Sequence, residues 1–153
     1  ALASKLGRKF VDLDEMIEEK EGKKIPEIFR EQGENAFREL EKRALEKACR
    51  EGNQVISCGG GVVIDGGNRK LLQEKTTLVC LTASEKTIFE RVKNDLNRPL
   101  LSFGDARRKI REMLSERKPF YEITKIKIAT DGFSAEETAG KIIQRLKLRE
   151  GKK

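Results

Sequence analysis

The sequence predicts an α/β domain built on a parallel sheet. Short apolar runs that stop at polar or glycine-rich turns alternate with segments of helical spacing. That order puts helices on both faces of a parallel sheet. With 153 residues the chain suffices for one compact domain, 1–153, and not for two. Apolar residues make up 37% and charged residues 39%, but the apolar ones gather into runs and stripes, the pattern of a chain that folds.

Ala1 to Leu6 reads as the end of a helix that breaks at Gly7. Strands are expected at Lys9 to Leu13, Gln54 to Ser57, Thr77 to Leu81 and Lys125 to Ala129. A helix Glu15 to Glu21 follows the first. The longest helix runs from about Glu34 to Arg50, with Phe37, Leu40, Ala44, Leu45 and Ala48 as one apolar stripe, and Gly52 ends it. After a helix Glu85 to Asp95, residues 94–105 read as a mobile lid through Gly104. The last helix opens on a capping box, Ser134 with Glu137, and turns Ala139, Ile142, Ile143 and Leu146 inward. Residues 147–153 are a basic, frayed tail.

The charge balance, 33 Lys plus Arg against 26 Asp plus Glu, gives +7 and no histidine moves it near neutral pH. Anionic partners are favoured, but both signs are interleaved as on solvated helix faces, so a nucleic-acid surface is not expected. Cys49, Cys58 and Cys80 form no CxxC pair, which argues against a disulfide frame or zinc site and suits a reducing cytoplasm. No membrane span or secretory pattern occurs, and a monomer is expected.

Asp12 and Asp14 stand two apart at a strand's C-terminal end, where ligands bind in open α/β sheets. Beside bound phosphates, one carboxylate could hold Mg²⁺ and the other accept a proton from an attacking hydroxyl. Equally, Asp14 could cap the following helix while Asp12 is a solvated strand end. The triglycine Gly59, Gly60, Gly61 follows a buried strand and lets backbone N–H groups approach an anion, beyond what a plain turn requires. Cys58 reads as a packing residue, since no histidine is present to activate it. Arg38, with Glu34 and Glu41 at i−4 and i+3, is either a surface ion pair or a fork for a substrate carboxylate. Arg98 could close over transferring phosphates from the lid, and Arg117 could be only a dipole partner at a helix end.

Taken in order, these pieces resemble the shikimate kinase family over essentially the whole length. The matching residues are Phe10-Val11-Asp12-Leu13-Asp14 with Ile17-Glu18; Gly22, Ile25 and Ile28-Phe29; Gly33-Glu34, Phe37-Arg38 and Glu41; Gly59-Gly60-Gly61; Arg98-Pro99-Leu100-Leu101; and Arg117, Pro119 and Tyr121. The resemblance implies a three-layer fold like that of P-loop nucleoside-monophosphate kinases, strand order 2-3-1-4-5, and transfer of the ATP γ-phosphoryl group to the 3-hydroxyl of shikimate in aromatic amino-acid synthesis. It implies Asp14 as substrate contact and base, and Asp12 at Mg²⁺. Arg38 and Arg117 would clamp the carboxylate, Gly59 to Gly61 would line the shikimate and γ-phosphate side, and Phe29 and Phe37 would wall the pocket. Arg98 would sit on the phosphates, Arg91 on adenine, and the loop from Thr130 to Ser134 at the adenine edge.

The family's phosphate loop, Gly-x-x-x-x-Gly-Lys followed by Ser or Thr, occurs nowhere in residues 1–153. The expectation is therefore a chain lacking strand 1, with two exposed inner sheet edges and no turnover by itself for want of the loop. The rival expectations are a non-catalytic shikimate-binding module, a basic nucleic-acid binder, and a kinase for another small polyol acid, as in gluconate kinases.

Overall fold

The computed structural model describes residues 1–92, 105–149 and 151. Four short parallel strands, β1 (Lys9–Asp12), β2 (Gln54–Ser57), β3 (Cys80–Thr82) and β4 (Lys127–Ala129), alternate with helices as the spacing predicts. They form two pairs, not one continuous sheet: β1 with β2 in the register Val11 to Ile56, and β3 with β4 in the register Leu81 to Ile128.

The helices are α1 (Leu2–Leu6), α2 (Leu13–Glu21), α3 (Ile25–Arg50), α4 (Gly66–Lys75), α5 (Glu85–Val92), α6 (Ala106–Arg117) and α7 (Ala135–Leu146). Gly7 closes α1 in the left-handed region, φ 61°, as its place after Leu6 predicts. α3 is interrupted at Gly33, φ 80° and ψ 175°, a region open essentially to glycine alone. The predicted helix from Glu34 is thus the second half of a longer element that changes course there.

Two apolar clusters hold these elements. Val11, Leu13, Leu45, Ala48, Val62, Val63 and Leu72 fill the space between β1, α3, α4 and the 3₁₀ turn Val62–Ile64. Ile17, Ile25, Ile28 and Phe37 join α2 to both halves of α3. Phe37, Leu45 and Ala48 of the predicted stripe are buried. Elsewhere the capping box of α7 is present, Ser134 Oγ accepting from Glu137 N and Glu137 accepting from Ser134 N.

Three expectations are corrected. The third strand starts at Cys80, not Thr77, because Leu78 packs into the core and its carbonyl accepts from Thr124 Oγ1 instead of joining a ladder. The fourth starts at Lys127, since Ile126 N donates to the Thr124 hydroxyl. The tail is not wholly frayed: Gly151 N donates to Lys5 O at 2.9 Å, setting Gly151 against Leu6 and Gly7. Most of the expected lid, Arg98 included, lies outside the described residues.

Candidate functional site

The first strand hands its chain to α2 through Asp12, which is the helix cap. Asp12 Oδ1 accepts from Asp14 N at 2.9 Å and Glu15 N at 3.3 Å. The capping role weighed for Asp14 therefore belongs to Asp12, and the period-of-two placement does not apply, because the strand stops at Asp12 and Asp14 lies in the first helical turn. Asp14 stands two residues past that cap. Its carboxylate comes beside the triglycine turn: a Cβ built on Gly59 would stand 3.8 Å from Asp14 Oδ1.

Gly59 holds φ +68°, which turns the chain sharply off the end of β2. At Gly61 a side chain has no room, since a Cβ there would overlap the Arg38 guanidinium, with Cζ at 2.8 Å. The second half of α3 thus lays Arg38 across the glycine turn. Arg38 Nε and Nη2 donate to Glu34 at 3.3 and 2.9 Å, and Nη1 donates to Glu41 at 3.0 Å. Among the described residues these bonds use three of the five N–H groups, with one more on each terminal nitrogen, the end of the fork that suits a planar carboxylate.

Glu41 is not the surface partner its spacing suggested, for it is only 3% exposed. Burial pushes its carboxyl above the usual range, with Arg38 pulling the other way. Asp14 and Arg117 both lie close enough to act on it electrostatically. Arg117 ends α6 and reaches the turn from the other side: a Cβ on Gly60 would be 3.8 Å from Arg117 Nη1 and 3.1 Å from Tyr121 Oη. Tyr121 Oη donates to Gly60 O at 2.7 Å. Asp14, Arg38, Gly59, Gly60, Gly61 and Arg117 are thereby brought together at the C-terminal ends of β1 and β2.

Phe29 and Phe37 stack on each other, centroids 4.7 Å apart, within the second apolar cluster, and Arg38 Cζ lies 5.4 Å from the Phe37 ring. Cys58, just before the glycines, is pushed up to about 12 by burial, as befits packing and not nucleophilic work. Arg91 and Thr130 form a second locus. Arg91 Nη1 donates to Thr130 Oγ1 at 2.9 Å and Nη2 to Thr130 O at 2.8 Å. Beside them Asp131 accepts from Ser84 N, Ser84 Oγ and Thr87 Oγ1, which holds its carboxyl down at about 2.

The residues taken one by one gave Glu41 only a place beside Arg38, and gave Tyr121 and Asp131 no role. The first two stood in the matched motifs; Asp131 had only its place after Thr130 as a signal.

A family profile described as "Shikimate kinase" matches residues 1–147. The shikimate kinase of Persephonella marina is 43% identical over 95% of this chain and 88% of its own length. That of Thermodesulfovibrio yellowstonii is 44% identical over 94% and 83%. Among solved structures, shikimate kinase from Acinetobacter baumannii in complex with shikimate superposes with a TM-score of 0.90 at 34% identity, covering 95% of this chain and 82% of that one. Shikimate kinase from Aquifex aeolicus gives 0.82 at 31% identity, covering 95% and 85%.

Proposed function

The chain belongs to the shikimate kinase family, and we propose that the cluster at the C-terminal ends of β1 and β2 is its shikimate site. The family moves the γ-phosphoryl group of ATP to the 3-hydroxyl of shikimate: a bond forms between that oxygen and γ-phosphorus while the bond to the β-phosphate oxygen breaks and ADP leaves. The observation that carries the site assignment is the convergence of Arg38, Arg117 and Asp14 on the glycine turn.

Each group has a task suited to its surroundings. Arg38, oriented by Glu34 and the buried Glu41, offers that end of its fork to the shikimate carboxylate, and Arg117 supplies a second positive charge from the opposite side. Asp14 accepts the proton of the attacking hydroxyl. Gly59 to Gly61 let that hydroxyl and the phosphoryl oxygens approach the backbone, and Phe29 and Phe37 wall the pocket beneath the ring. Arg91 and Thr130 take the adenine side, and Arg98 the phosphates.

Among the described residues no three acidic, cysteine or histidine side chains converge as a metal cage. Mg²⁺ does not require one, since it keeps several waters and takes one or two carboxylates beside substrate phosphates. Asp12, with Asp14 next to it, fits that donor set and would hold the ion directly or through water. When bound, it neutralises charge on the phosphates. The chain works as a single-domain monomer in the cytoplasm, a reducing setting that suits three free cysteines. Among the described residues no helix is long and apolar enough to cross a membrane.

Calorimetric titration with shikimate tests the site without requiring turnover. A single-site isotherm is expected, weakened about 30-fold or more in R38A and in R117A, the usual loss for one partner of a charged pair. No binding by the wild type, or wild-type affinity in both variants, would sink the assignment.

A further inference from the structure

We propose that Tyr121 is a positioning residue of this site, its hydroxyl fixing the Gly60 peptide and the Arg117 guanidinium in one arrangement. The inference rests on the reading of Arg117 and Gly59 to Gly61 as substrate contacts.

Three consecutive glycines have no side chains to hold their peptide planes, so something outside the turn must choose their orientation. Tyr121 Oη does this for one of them by donating to Gly60 O at 2.7 Å across 61 residues of sequence. Carbonyl and N–H of one trans peptide point opposite ways. Holding Gly60 O toward the phenol therefore turns the Gly61 N–H away from it. A hydroxyl has one proton and two lone pairs, so with its proton given to Gly60 it keeps the capacity to accept from Arg117, a pure donor whose Nη1 comes to the same glycine, 3.8 Å from a Cβ built there. Arg117 is near enough to act on the phenol, opposing the burial that raises its pKa. One oxygen thus ties the glycine turn to the arginine.

The ring is itself held on several sides. Phe120, Tyr121 and Ile123 pack on the first apolar cluster. Arg69 Cζ stands 4.8 Å from the centre of the Phe120 ring, and its Nη1 donates to Val63 O and Ile64 O. Gln73 Nε2 donates to Ile123 O at 3.1 Å. The segment Lys118–Ile123 is therefore bound to the stretch that follows the glycines. The close approach also accounts for glycine at position 60, where a methyl group would meet Tyr121 Oη at 3.1 Å.

The chain has one tyrosine and no tryptophan, so its tyrosine emission reports this site alone. The experiment is shikimate titration of the full chain, by calorimetry as wild type, Y121F, G60A and the double variant, and by that emission in the wild type and G60A, which keep the tyrosine. Y121F removes only the hydroxyl and should melt within a few degrees of wild type, yet bind shikimate about tenfold more weakly, about 1.4 kcal/mol. G60A should weaken binding in the wild type by displacing the hydroxyl, and add less than twofold in Y121F, where that oxygen is gone. A merely structural tyrosine would not produce this non-additivity. Unchanged affinity in Y121F, or additive effects, overturns the inference while leaving the site assignment standing. A wild type that does not bind shikimate overturns both. Should Y121F fail to fold, the wild type decides: its emission must change on saturation with shikimate, and an unmoved signal overturns the inference.

Discussion

At Glu41 burial and pairing oppose each other. The carboxylate is 3% exposed and accepts from Arg38 Nη1 at 3.0 Å, yet burial raises its pKa above the ordinary 4.5. Folding then favours the protonated form. The stabilising contribution is complete below about pH 4.5 and is lost as pH rises through the higher folded value. E41Q cannot titrate, so urea-derived stability of the wild type should fall more steeply than that of E41Q on raising the pH from 4.5; parallel curves would refute this. The Arg38 spacing to Glu34 and Glu41 was legible in the sequence because helical neighbours are fixed by period. The burial of Glu41 was not, because it depends on α2 and Arg117 arriving from distant parts of the chain. Tyr121 was opaque for the same reason, its partner Gly60 being remote in sequence. Asp12 was misread for a local one: the strand ends one residue earlier than the apolar run, so the cap falls on the first aspartate.

Two elements depend on single residues for their course. Gly33, φ 80° and ψ 175°, breaks α3 and lets its second half carry Arg38 over the glycine turn. A Cβ there would meet nothing within 4 Å, so G33A tests backbone strain alone. It should cost about 1–3 kcal/mol in chemical unfolding, and a loss below a few tenths would show that the chain adopts another turn at no penalty. The start of α5 is fastened to the loop after β4 through Asp131, whose pKa is held at about 2 against an ordinary 3.8, first by Ser84 and Thr87. A lowered pKa stabilises above the unfolded value and loses that stability as pH falls through the folded one. Between about pH 4 and 2 the wild type should therefore lose its stability advantage over D131N, and a constant difference would count against the Asp131 anchor. The helix caps at Gly7 and Ser134 were visible in sequence because their determinants lie within four residues. The Asp131 anchor spans 47 positions to Ser84 and left no such mark.

At the scale of the molecule, the alternation of strand and helix predicted the class, but pairing came only from the resemblance, whose order places its second and third strands, and its fourth and fifth, side by side. Those are the pairs β1–β2 and β3–β4. Spacing cannot give such an order, because parallel partners are chosen by helices packing on both faces. The two pairs are unequally buried. Around β1 and β2 lie Val11, Leu13, Leu45, Val62 and Leu72, each at most 7% exposed. Phe10 of β1 and Leu81 of β3 are alike in exposure, 55% and 56%, so the difference lies in what covers the strands, and α5 contributes no buried residue. Local opening requires less energy where less apolar surface is lost from water. Native-state hydrogen exchange should therefore find the amides of β1, β2 and the second half of α3 slowest, with β3 and α5 exchanging sooner. The α7 stripe, Ala139, Ile142 and Ile143, packs toward α1 and β4 and should give β4 intermediate protection. Equal protection of β3 and β1 would mean that the two pairs open as one unit, and that the difference in what covers them does not weaken β3.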